Sequence, residues 1–172
     1  MEVWISIAIS LLALSISGIT AWLALFKRGT LLMTQPTSIF LGPDGGYFES
    51  TRNKVYLRTL LYSSSRKGQV IESMHVTLAR GETKQNFSIW VHGQKNGLSR
   101  GSGLFVTHEG LTLDHHFLLP PDGSDFKFLA GDYKLSVFAK LVTNSNPILL
   151  FTIRSNTITC SGITAKVCWF VF

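Results

Sequence analysis

Two hydrophobic patterns divide the chain. From Val3 to Phe26, 24 consecutive residues carry no charge, and Lys27-Arg28 closes the run. At 1.5 Å rise per residue this makes roughly 36 Å of helix, enough to cross a ~30 Å hydrocarbon core with some tilt. Beyond it the continuous apolar run gives way to alternation with period two. Such alternation, bounded by Gly, Pro, Asn, Asp and Ser, marks half-buried strands. It predicts strands at Leu31–Thr34, Ser38–Leu41, Lys54–Tyr62, Val70–Ala79, Asn86–His92, Gly103–Thr107, His115–Leu118, Lys127–Leu129, Tyr133–Val142 and Ile148–Ile153, with a last one at Ala165–Phe172.

The strand faces are legible. Val55, Leu57, Thr59 and Leu61 share one side, and Tyr56, Arg58 and Tyr62 the other. Met74, Val76 and Leu78 oppose His75 and Thr77; Phe87, Ile89 and Val91 oppose Ser88 and Trp90. Tyr133, Leu135, Val137, Ala139 and Leu141 oppose Lys134, Ser136 and Lys140. Burial of one face points to antiparallel sheets packed on each other. Gly42-Pro43-Asp44-Gly45-Gly46, Ser63–Gly68, Pro120–Ser124 and Asn144–Pro147 supply turn chemistry between the strands. The expected fold is all-β, an antiparallel sandwich with one N-terminal transmembrane helix. Residues 1–28 form the anchor and residues 29–172 the sandwich domain, with no internal repeat.

Within the anchor, twelve residues are Leu, Ile, Val or Phe. They favour insertion by ~4–7 kcal/mol, opposed weakly by Ser6, Ser10, Ser15, Ser17 and Thr20, whose hydroxyls can bond back to the helix. Trp4 and Trp22 lie near its ends, in the zone that suits amphipathic rings, and Lys27 and Arg28 mark the interface. A cleaved leader needs a basic start and a shorter apolar core, whereas this chain opens Met1-Glu2, so the segment reads as an uncleaved single-pass anchor. Lys27 and Arg28 place the following domain in the cytoplasm, with the periplasmic or extracellular side as the alternative. Ala13, Ser17 and Ala21 recur every four residues, the small-residue spacing that lets a second helix approach closely as a homodimer.

All 16 Lys and Arg fall within residues 27–172, against nine Asp and Glu, a net charge of +7 for that stretch. Such a surface is drawn to anionic lipid headgroups. The basic residues are scattered rather than clustered, so nucleic acid is not an expected partner. The two cysteines, Cys160 and Cys168, do not make a disulfide framework or a Cys-x-x-Cys pair. They read as small buried apolar residues in a reducing compartment, or as a bridged pair outside one.

Phe128-Leu129-Ala130-Gly131-Asp132-Tyr133-Lys134-Leu135-Ser136-Val137 resembles the turn into the penultimate strand of immunoglobulin-like sandwiches. The resemblance implies that the Tyr133 hydroxyl ties back to the preceding corner. It covers about ten residues and lacks the inter-sheet cysteine pair of antibody domains. It speaks to fold alone, because these sandwiches carry many functions.

Candidate chemistry is sparse. His108, Glu109, Asp114, His115 and His116 are the cluster closest to a metal site, but His115 and His116 point to opposite faces of a strand. Ser102 in Gly101-Ser102-Gly103, and Ser161, lack the surroundings of a nucleophile elbow. Gly42, Gly45 and Gly46 are followed by no Lys-Ser/Thr pair and form a turn rather than a phosphate loop. Asn86-Phe87-Ser88 matches a glycosylation acceptor inside a predicted strand, a chance match. Val167–Phe172 is an uncharged apolar end, read as a closing strand, with a sticky exposed edge as its alternative.

These features point to a membrane-anchored binding or accessory protein, not an enzyme and without a cofactor. Its partners are membrane lipid and another protein. The alternatives are a metal-dependent module centred on His108, His115 and His116, and an anionic-lipid surface-binding domain.

Overall fold

A computed structural model describes residues 1–26, 29–43, 53–94, 97–120, 126, 128, 129, 131–155 and 168–171. Helix α1 spans Glu2–Leu25. The strands are β1 (Leu31–Met33), β2 (Ser38–Pro43), β3 (Asn53–Ser63), β4 (Gln69–Arg80), β5 (Thr83–Phe87) and β6 (Ile89–Gln94). They continue with β7 (Gly97–Arg100), β8 (Leu104–Val106), β9 (Leu111–Leu118), β10 (Tyr133–Leu141), β11 (Ile148–Ser155) and β12 (Cys168–Val171). One sheet runs β12-β2-β3-β9-β6-β7, with β1 also on β3; the other runs β11-β10-β4-β5, with β8 also on β4. Every pairing is antiparallel.

Four of the five serine and threonine hydroxyls of α1 bond back as expected. Ser6, Ser10, Ser15 and Thr20 each donate to the carbonyl four residues earlier, at 2.7–3.1 Å. These four hydroxyls are thereby satisfied within the helix, and none of its residues is buried.

Alternation builds the core. Ile39, Leu41, Val55, Leu57, Leu61 and Phe117 of the first sheet join Ile71, Val76, Leu78, Val137 and Ala139 of the second in one buried cluster. Each fully buried large apolar side chain contributes roughly 1.5–3 kcal/mol. Ile71 and Met74 are both buried although three residues apart. A register shift explains this: Leu141 pairs with Ile71 but Lys140 with Ser73, so β4 carries an extra residue that resets its faces.

The predicted strand Asn86–His92 is corrected to two strands in different sheets. β5 ends at Phe87, paired to Val76 of β4, and β6 begins at Ile89, paired to Leu118 of β9. The unpaired Ser88 between them breaks the alternation. Phe87 thus enters the core from one sheet and Trp90 from the other, both buried, rather than on opposite faces.

Three smaller corrections follow. β7 was hidden because all four of its residues are exposed and only backbone pairing to β6 defines it. β9 starts at Leu111 rather than at His115, and the turn before it is Thr107–Gly110. Phe128 and Leu129 lie outside any strand, Phe128 filling the core from a corner. Gly42 and Pro43 continue β2, while positions 44–52 lie outside the described residues. Cys160 lies outside them too, as do Val167 and Phe172, whereas Cys168–Val171 pairs with β2 at the sheet edge.

At the corner before β10 the Tyr133 hydroxyl donates to the Leu129 carbonyl at 2.8 Å and accepts from the Leu129 N–H at 3.0 Å. Tyr133→Phe removes both bonds and is expected to cost ~1–3 kcal/mol in a urea titration. A shift below a few tenths of a kcal/mol would show that the corner is held by packing alone.

Candidate functional site

Three groups of residues bear on function: the helix, the end of the β-domain beside it, and the histidines. Along α1, Trp4 and Trp22 are exposed near the two ends, and the Trp22 ring stacks on Phe26 at 5.0 Å. Ala13, Ser17 and Ala21 are exposed and share one side by their spacing. Lys27 and Arg28 lie outside the described residues. The helix is long and apolar enough to cross a membrane, a property that a signal sequence also has.

The β-domain meets α1 through the turn between β3 and β4. Lys67 Nζ donates to the Leu25 carbonyl at the helix end. Gln69 Nε2 donates to the Gly29 carbonyl at 2.7 Å, and the Thr30 N–H donates to Ser64 Oγ at 2.8 Å. An open groove of about 530 Å³ lies between helix and turn, lined by Thr20, Leu23, Ala24, Ser64 and Arg66 among others.

The histidines do not converge. His115 is completely buried on the inner face of β9, where its Nδ1 accepts from Trp90 Nε1–H at 3.0 Å. A neutral imidazole has one acceptor nitrogen, so this bond leaves the proton on Nε2. Nε2 has no partner among the described residues, and neither does the buried Thr59 Oγ1. Leu57 pairs with His115 and Thr59 with Leu113, which places the two unpaired groups on one diagonal of the sheet. His116 faces the other way and packs edge-on against Tyr56 at 5.1 Å. His108 is exposed in the turn before β9. With its acceptor committed to Trp90, His115 offers no lone pair to a metal. No group of three His, Cys, Asp or Glu among the described residues is arranged to hold one.

Burial drives the His115 pKa down from 6.5 to about 3, helped by His92 and His116 and opposed by Asp114. Burial also lowers His92 and His75. On the outer face, Tyr56 donates to Asp114 Oδ1 at 2.8 Å, and burial first, then Asp114, raise its pKa.

The other candidates stay apart. Ser102 is exposed in a bend that leads into β8, and Ser161 lies outside the described residues. Asn86 is exposed, with Oδ1 accepting from Thr77 Oγ1 at 2.8 Å. Sequence reasoning missed the Trp90–His115 pair because the sheet switch at Ser88 put Trp90 on the wrong face. Comparison of the chain with protein-family models, characterised proteins and solved structures found no match.

Proposed function

We propose that the chain is a single-pass membrane protein whose immunoglobulin-like β-sandwich acts by binding, as an accessory component of a protein assembly. The observation that carries this is α1: a 24-residue apolar helix with no buried residue, left outside the core of the domain it precedes. Such a surface is stable in lipid, not in water. The Tyr133–Leu129 bonds support the immunoglobulin-like part of the reading. The separation of His108, His115 and His116 favours binding over metal chemistry.

Lipid is one partner, and a second protein is the other. Ala13, Ser17 and Ala21 offer a seam for a second copy. Charge at Lys27 and Arg28 favours a cytoplasmic domain. Leu98 on β7 and Leu149 on β11 are exposed apolar residues on the outermost strands of the two sheets, the places where strand addition or edge contact would occur.

Two expected outcomes test this. A fragment spanning residues 29–172 folds alone and stays in the soluble fraction, as read by circular dichroism and centrifugation; aggregation of that fragment counts against a self-sufficient domain. A photo-crosslinking residue at Leu98 or Leu149 of the full chain in its native membrane yields one discrete adduct with another protein. Absence of any adduct from both positions removes the protein-binding role.

A further inference from the structure

We propose that the end of the β-domain nearest α1 rests on the surface of the bilayer that holds α1, with Arg66 and Lys67 at anionic headgroups and Phe105, Val70 and Val142 in the interfacial zone. This deepens the anchored reading and rests on α1 being a membrane span.

Strand direction defines the end. β3 finishes at Ser63 and β4 starts at Gln69; Leu61 pairs with Leu111 and Ile71 with Leu141. The turns at 64–68, 107–110 and 142–147 therefore gather at one end of the domain. That same end receives α1 through Lys67 and Leu25. Only two residues separate Phe26 from Gly29, and three Cα steps reach at most ~11 Å. A span ending at Phe26 cannot hold this surface far from the headgroups.

The surface composition suits that place. Phe105 is 53% exposed and Val142 63%, and Phe105 is the most exposed phenylalanine of the described β-domain residues. Val70 is the register partner of Phe105, and the Val142 N–H donates to the Val70 carbonyl at 3.1 Å, so the three form one patch. The Phe105 ring lies over Gly68, whose φ of +69° makes the turn carrying Arg66 and Lys67. A Cβ at residue 68 would meet that ring at 2.6 Å, so the glycine brings aromatic and basic groups together. Glu109 is the single acidic residue of the three turns, with His108 beside it, against the basic Arg66 and Lys67. Aromatic and aliphatic groups beside basic side chains are the makeup of surfaces that enter the headgroup boundary. Continuity with the helix names the bilayer as the occupant.

The test uses the full chain with Cys160→Ser and Cys168→Ser, reconstituted in phosphatidylcholine vesicles with a minority of phosphatidylserine. A fluorescent probe is attached at Phe105→Cys, Val142→Cys or Lys84→Cys in separate proteins. Lys84 on β5 pairs with Ala79 near the far end of β4, roughly 30 Å along the strand from Val70. Lipid-borne quenchers are expected to quench the probe at 105 and at 142 several-fold more than at 84. Combining Arg66→Ala and Lys67→Ala should reduce that excess. The site at 142 reports independently should the 105 variant misfold. Equal quenching at all three positions, with the chain still resistant to alkaline wash, overturns the docking and leaves the anchor intact. A chain that washes off the vesicles overturns both.

Discussion

Acidification below pH 6.5 is expected to destabilise the β-domain through His115. The folded protein keeps this imidazole neutral down to about 3, whereas the unfolded chain protonates it near 6.5. The folded pKa is depressed, so the contribution to stability is complete above 6.5 and is lost as pH falls towards 3. Between those limits each pH unit removes up to ~1.4 kcal/mol. The cause is geometric: His115 is wholly enclosed, and Trp90 holds the only nitrogen that could take the proton. Depressed values at His92 and His75 add in the same direction, more weakly because both are partly exposed. Chemical unfolding of residues 29–172 across pH 7 to pH 4 reads the slope. His115→Gln can still accept from Trp90 but does not titrate, and should flatten the dependence. Identical slopes in the two proteins would remove His115 as the acid-sensitive group.

Trp90→Ala is expected to be among the most damaging single changes. It empties a large buried volume at a cost of ~3–5 kcal/mol, and it leaves His115 Nδ1 without its donor. The backbone of Gly101 lies against the indole, so closely that any side chain at 101 would run into the ring, and the Gly101 N–H donates to the Trp90 carbonyl at 2.8 Å. The pocket is thus shaped around tryptophan. Trp90→Phe keeps part of the volume and loses the N–H, so it should cost less, ~1–3 kcal/mol. Denaturant midpoints for the two variants should fall in that order. A shift under ~1 kcal/mol for Trp90→Ala would match the solvated residue that simple alternation suggests, and would contradict the sheet switch.

That switch also shows where the sequence stops being readable. Val55, Leu57, Thr59 and Leu61 form an unbroken alternating set, and all four are buried as read. The same holds for Met74, Val76 and Leu78, and for Tyr133, Leu135, Val137, Ala139 and Leu141, although Ser136 on the opposing set is buried as well. Period two works while a strand stays in one sheet and keeps its register. It fails at Ser88, where one unpaired residue carries the chain between sheets, and at the extra residue of β4. It is silent on β7, whose four exposed residues leave no apolar signal. Of the functional features, α1 was visible at once because it needs only composition and length. The surface formed by Arg66, Lys67, Val70, Phe105 and Val142 was not, because three separate turns supply it and only the pairing brings them together.

The most direct test combines alkaline washing of membranes from cells expressing the full chain with the intact mass of what remains. An anchored protein stays in the pellet with Val3–Phe26 still attached. A chain recovered in the wash, or one shortened by its apolar leader, would contradict membrane anchoring of the β-domain.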